Sequence, residues 1–153
     1  MIMFDLFETL ATALAGSISS YDLTMIRGGN DAVFIVGKGY ALSISLDRDY
    51  ALLGMVRYDE KSKRYMWHSA NQLLAERAAH DQKDRKDPIG LDAQLEASAS
   101  AIIYALKNRC QDLLRGDFSW LDLKIKKDPL GWSGKSLPMD VQSMLVSAMN
   151  EKR

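Results

Sequence analysis

The chain has 153 residues, the length of one ordinary domain; 47% of them are hydrophobic and 26% are charged. These proportions argue against a disordered chain, a collagen, a coiled-coil array or a membrane bundle. Twenty Lys and Arg balance twenty Asp and Glu, so the net charge is zero and provides no overall basic field for a nucleic acid.

The N-terminal half predicts a helix followed by a meander of strands. Residues 2–15 carry apolar side chains at spacings of three and four, which indicates one amphipathic helix ended by Gly16 and the serines 17–20. From Tyr21 the period changes to two, and short turns separate the apolar runs, as in an antiparallel meander. The predicted strands are 21–27, 32–36, 42–46, 51–58 and 64–67. Ser43 and Ser45 predict a small polar outer face on the third of these strands.

The C-terminal half predicts mainly helices. Ser69 predicts the N-cap of a helix that runs to about residue 78, and the wholly polar stretch 80–87 predicts a solvated loop. The strongest apolar stripe in the chain runs over 91–115 and predicts one long helix with Gly116 at its end. The later segments predict a short strand at 121–126, an irregular stretch at 128–137 and a last helix opened by Pro138.

These elements predict a single α+β domain spanning residues 1–153. We expect an N-terminal helix, an antiparallel four- to five-stranded meander, and then two to three C-terminal helices packed on the sheet. No internal repeat and no domain boundary is visible in the sequence.

Location and membrane contact are inferred from a few signals. Cys110 is the only cysteine, and its apolar neighbours Leu106 and Leu113 predict a buried thiol, which suits a reducing cytoplasm. The first basic residue is Arg27, so the basic start of a secretory signal is missing. No apolar run approaches the roughly 18 residues that a membrane span requires. We therefore expect a cytoplasmic protein without membrane contact.

Catalytic, cofactor and metal sites are not predicted. The segment Gly131–Ser136 resembles a phosphate-binding loop, but Pro129 stands where that loop needs its first glycine and offers no amide donor. The only histidines, His68 and His80, have no cysteine or carboxylate pattern around them that would complete a metal site. Three lysines at 124, 126 and 127 are too few to indicate a nucleic-acid site.

Charge is distributed unevenly, and this asymmetry provides the candidate site. Residues 1–60 hold eight acidic and four basic side chains, whereas residues 61–153 hold twelve acidic and sixteen basic ones. An acidic sheet region with interspersed tyrosines suits a basic protein partner, because complementary charge speeds encounter and aromatic side chains anchor interfaces. The predicted partner-binding residues are Asp22, Asp31, Asp47, Asp49, Tyr50, Tyr58 and Asp59.

The segment from Cys110 to Leu121 reads Cys-Gln-Asp-Leu-Leu-Arg-Gly-Asp-Phe-Ser-Trp-Leu. It resembles a segment of bacterial immunity proteins, the inhibitors of polymorphic or contact-dependent growth-inhibition toxins. The resemblance covers about a dozen residues. It implies a non-catalytic cytoplasmic protein, monomeric before binding, that occludes the active site of one cognate toxin domain, often a nuclease with a basic cleft. Binding surfaces diverge strongly in that family, so no site residue is transferred.

Other functions remain open on the sequence. A small secretion chaperone has a similar order of elements, but it forms dimers and binds an unfolded effector segment. A small enzyme would need a cleft with perturbed carboxylates or a hydrogen-bonded His68. A subunit of a larger complex would expose an apolar patch, for example on the helix at 138–150.

Overall fold

A computed structural model of the protein describes residues 4–29, 31–78 and 90–152. The sheet has six strands in chain order, and every neighbouring pair is antiparallel. The strands are β1 (Thr24–Arg27), β2 (Ala32–Val36), β3 (Tyr40–Asp47), β4 (Tyr50–Asp59), β5 (Arg64–Ser69) and β6 (Lys135–Ser136). The helices in these residues are α1 (Leu6–Ala13), α2 (Ala15–Ser20), α3 (Asn71–Ala78), α4 (Leu91–Asn108), α5 (Gln111–Leu114), α6 (Ser119–Lys127) and α7 (Met139–Asn150). The α+β class is confirmed, but the sheet has one strand more than the predicted meander. The described residues after β5 form five helices rather than the predicted two to three.

One face of the sheet forms the larger core. Strand side chains alternate between faces, so Val33, Ile35, Leu42, Ile44 and Leu53 all point to the same side and are buried there. Helices α1, α3, α4, α5 and α6 all contribute buried side chains to this cluster. The predicted loop at 80–87 lies outside the described residues.

Helix α7 covers only part of the opposite face. Its Leu145 and Met149 pack on Phe34, Val36 and Val56, near the end of the sheet where β2 turns into β3. From Val33 to Val36 the continuous apolar strand β2 is therefore buried on both faces, as its sequence predicts.

Gln142 anchors α7 to the sheet. Its side chain is 7% exposed and exchanges two hydrogen bonds with the backbone of Tyr65: the Tyr65 amide donates to Oε1 at 2.9 Å, and Nε2 donates to the Tyr65 carbonyl at 3.1 Å. These bonds fix the helix against β5. Among the described residues, no helix packs on the other half of that sheet face.

Two predicted helix boundaries are wrong. The N-terminal helix does not end at Gly16, because a second helix, α2, covers Ala15–Ser20 after a break at Leu14. The half-buried Ile18 packs against the core there, and this contact offsets the low helix propensity of glycine and serine. The stripe over 91–115 is two helices, because the chain leaves helical geometry at Arg109 and Cys110 before α5 begins. Gly116 has a φ of 78° and ends α5 as expected.

The predicted strand at 121–126 is also wrong, since these residues lie in α6. Leu121 is fully buried and Ile125, four residues later, packs on the same core, whereas Leu123 is 60% exposed. The spacing of Leu121 and Ile125 fits both a strand and a helix. The residue that favours the helix, Asp117, precedes this run. The Asp117 carboxylate accepts a hydrogen bond from the backbone amide of Ser119 at 3.1 Å, which stabilises the first turn of a helix.

Candidate functional site: the acidic end of the sheet

Four of the seven predicted site residues lie together at one end of the sheet. Asp31 ends the β1–β2 turn, while Asp47, Asp49 and Tyr50 form the β3–β4 turn, and all four are exposed. The backbone amide of Leu46 donates to the Asp31 carbonyl at 2.7 Å, which joins the two turns. We call these four residues the acidic end.

The β3–β4 turn holds its shape with an unusual backbone conformation. Arg48 has a φ of 58°, a region that favours glycine or asparagine and costs other residues about 1 kcal/mol. Asp47 pairs with Tyr50 across the turn, and the Tyr50 hydroxyl donates to the Asp47 carboxylate at 3.4 Å. The turn therefore presents Tyr50, 43% exposed, beside a carboxylate in a defined arrangement.

The other three predicted residues lie at the opposite end of the sheet. Asp22 precedes β1, whose Thr24 pairs with Val36 beside the β2–β3 turn. Asp22 also has a φ of 52°, and its 89% exposed side chain pairs with Lys152 at 3.5 Å. Asp22 therefore does not join the acidic end.

Tyr58 and Asp59 lie where β4 turns into β5, also away from the acidic end. Tyr58 packs edge-on against Tyr65 with ring centroids 5.4 Å apart. Hydrogen bonds from the side chain and the backbone of Ser62 lower the pKa of Asp59. The seven residues therefore form two groups rather than one binding face.

A groove adjoins the acidic end on the half of the sheet that α7 leaves uncovered. It has a volume of about 270 Å³. We call it the sheet groove, and its lining residues are Ala32, Phe34, Ser43, Ser45, Trp67, Lys135, Ser136 and Leu137. Ser45 and Asp47 point to the same face of β3, because they are two residues apart, so the groove runs towards the acidic end.

The wall of the groove depends on Trp67 crossing β4 at Gly54. The Trp67 indole Nε1 donates to the Ser43 hydroxyl at 2.7 Å, reaching over the strand that separates β3 from β5. A Cβ atom at Gly54 would lie 1.8 Å from that nitrogen, so only glycine allows the crossing. Ser43 was expected on an exposed polar face, but it is 4% exposed because the indole covers it.

A second cavity, of about 320 Å³, lies at the opposite end and contains His68. Burial lowers the pKa of His68 and the neighbouring Arg57 lowers it further, while Asp59 and the backbone of Trp132 act in the opposite direction. Arg57 pairs with Asp122 at 2.6 Å. These contacts hold a half-buried imidazole between charged neighbours.

The resemblance of Gly131–Ser136 to a phosphate loop is not reflected in its geometry. The Gly131 amide donates to the Asp128 carboxylate at 3.1 Å, and Lys135 and Ser136 pair with β5 as a short strand. Among the residues described, no three His, Cys, Asp or Glu side chains are placed to hold a metal ion. Likewise, none of the helices in the described ranges has the length and apolar character needed to cross a bilayer.

Comparisons of the chain with protein-family models, with curated proteins and with solved structures find no significant match.

Proposed function

We propose that the protein is a non-catalytic inhibitor that binds another protein, as an immunity protein binds and neutralises a cognate bacterial toxin domain. The observation that carries this proposal is the acidic end, where Asp31, Asp47 and Asp49 stand exposed on two joined turns beside Tyr50. Its target would be a basic surface, such as the substrate cleft of a nuclease, and binding there would occlude the active site.

Electrostatics supports this assignment. The three exposed carboxylates of the acidic end outnumber the one cation of the β3–β4 turn, Arg48, so the two turns carry net negative charge. Such a surface attracts a positively charged partner over about one Debye length, roughly 8 Å at physiological ionic strength, and raises the association rate. Tyr50 adds an exposed aromatic anchor, a residue type that is enriched among side chains dominating binding energy. A partner that meets the acidic end first would therefore associate fast and in a defined orientation.

Neutralisation of a toxin tests the proposal. The C-terminal domain encoded by the gene immediately upstream, which is the toxin under this proposal, is expressed with the wild type or with the triple variant Asp31→Asn, Asp47→Asn and Asp49→Asn, and cell survival is counted. We expect the wild type to rescue growth and the triple variant to rescue it at least tenfold less. The matched control is Asp22→Asn, Asp59→Asn and Glu60→Gln, which removes three acidic charges at the opposite end of the sheet and should rescue normally.

Two outcomes would contradict the inhibitor function, and a third would contradict the role of the acidic end. Failure of the wild type to protect would remove the inhibitor function. A protein that dimerises and binds only an unfolded effector segment would indicate the secretion chaperone instead. If the control variant fails to rescue growth while the acidic-end variant rescues it, the binding surface lies at the other end of the sheet.

A further inference from the structure

We propose that the sheet groove receives an apolar side chain from a basic loop of the partner protein, so that recognition joins an apolar anchor to flanking positive charges. This inference rests on the proposed function, because it specifies the partner's chemistry at the same surface. The sequence did not predict the groove, because Phe34, Gly54 and Trp67 are separated along the chain and meet only through strand pairing.

The shape of the groove suits one aliphatic or aromatic side chain. Ala32 lies opposite Ser45, and Ser43 lies on the same face two residues away, so small residues run along its floor. Phe34 and Trp67 provide apolar walls, and Leu137 closes the end nearest to α7. Burial of an apolar side chain in such a cleft contributes about 1.5–3 kcal/mol.

The charges around the groove select the partner's flanking residues. Asp47 continues the row of Ser43 and Ser45 on the same face of β3, and Tyr50 stands opposite it. A chain that enters the groove from the acidic end therefore passes carboxylates, which favour Lys or Arg next to the apolar side chain. At the opposite margin, Lys135 lies 5.9 Å from the centre of the Trp67 ring.

A second copy of this chain fits the same surface less well. In a symmetric dimer the same patch faces itself. Three carboxylates at the acidic end would then meet a patch that offers Arg48 and Lys135 as its basic groups, leaving unbalanced negative charge. A basic segment of another protein meets no such charge repulsion. The expected occupant of the groove is therefore a basic segment of a different protein.

Nuclear magnetic resonance tests the inference with two defined probes. Isotope-labelled wild-type protein is titrated with a capped hexapeptide of two leucines flanked by lysine pairs, and separately with the same peptide flanked by glutamate pairs. We expect saturable shifts of the Trp67 indole and of the amides of Ala32, Ser43 and Ser45 with the lysine peptide. The glutamate peptide should bind at least tenfold more weakly.

A groove-filling variant provides the second arm. Ser45→Leu places an apolar side chain in the groove, and Ser100→Leu makes the same change on the exposed side of α4. We expect Ser45→Leu to weaken both the lysine peptide and the toxin domain at least tenfold, with Ser100→Leu leaving both unchanged.

The outcomes separate this inference from the proposed function. The assignment of the sheet groove would be overturned if the lysine peptide produced no saturable resonance shift. It would also be overturned if the shifts were confined to a different groove, of about 500 Å³, between α1, α2 and β1. Unchanged toxin binding by Ser45→Leu would also overturn it while leaving the inhibitor function intact. Peptide binding in the groove without any binding of the toxin domain would instead refute the proposed function.

Discussion

Gly54→Ala should destabilise the protein strongly, although alanine is normally the better residue inside a strand. The added Cβ would lie 1.8 Å from Trp67 Nε1 and 2.5 Å from the Ser43 hydroxyl oxygen, so the indole must move. Overpacking of this kind costs about 1–3 kcal/mol. Loss of the 2.7 Å hydrogen bond between Trp67 and Ser43 adds about 1 kcal/mol. The unfolding free energy should therefore fall by about 2–4 kcal/mol.

Thermal and urea denaturation measure this effect. A loss of that size lowers the melting temperature of a domain of this length by roughly 5–15 °C. Gly16→Ala is the matched control, because a Cβ at Gly16 meets no atom within 4 Å and the residue lies in α2. It should stabilise the protein by about 0.5–1 kcal/mol.

The reasoning would be refuted by a Gly54→Ala variant as stable as the wild type. Equal stability would mean that Trp67 does not cross β4 at this point. The sheet groove would then have a different wall, and the inference built on it would lose its geometry. A downfield-shifted indole proton of Trp67 that disappears in the variant provides an independent check of the hydrogen bond.

Three further predictions follow from single contacts. Gln142→Ala leaves the Tyr65 backbone without its two partners and should cost about 2–3 kcal/mol in urea denaturation; a loss below about 0.5 kcal/mol would mean that Gln142 does not hold α7. Burial raises the pKa of the Tyr40 hydroxyl, which donates to the Leu114 carbonyl at 2.6 Å. The unfolded chain therefore loses this proton at a lower pH than the folded protein does. The contribution of this hydrogen bond to the free energy of unfolding is complete below pH 10 and is lost as the pH rises through the higher pKa of the folded state. Tyr40→Phe should show a smaller loss of stability above pH 10 than the wild type, and an equal loss would contradict this. The buried Cys110, whose pKa is raised by burial, should react with an aromatic disulfide reagent only on unfolding; labelling of the native protein at the rate of free cysteine would show an open thiol.

The sequence predicts the meander well because its strands alternate or are bounded by strong turns. Four of the predicted strands, 32–36, 42–46, 51–58 and 64–67, lie within β2, β3, β4 and β5. The helix α6 was missed because Leu121, Leu123 and Ile125 alternate as in a strand. The Asp117 hydrogen bond to the Ser119 amide and the packing of Leu121 and Ile125 on the core favour the helix, which leaves Leu123 exposed. The strand β6 has only two residues, too few for any period to appear.

The sequence predicts which residues of the candidate site are charged and exposed, but not which of them lie together. Turn residues such as Asp47 and Asp49 are exposed wherever the hairpin lies, so their role as charged surface follows from the sequence. Which carboxylates meet depends on strand register, and register separates Asp22 and Asp59 from them. The contact of Trp67 with Ser43 across Gly54 joins three strands, and the one available signal was a glycine inside an apolar strand.

Calorimetry at two salt concentrations, with the folded C-terminal domain of the protein encoded immediately upstream as the proposed toxin, tests the central claim most directly. We predict 1:1 binding in the nanomolar range that weakens at high salt, and a much smaller salt dependence for the Asp31→Asn, Asp47→Asn and Asp49→Asn variant. Tight binding that salt does not change would contradict the role of the acidic end. Absence of binding to the folded domain would contradict the proposed function itself.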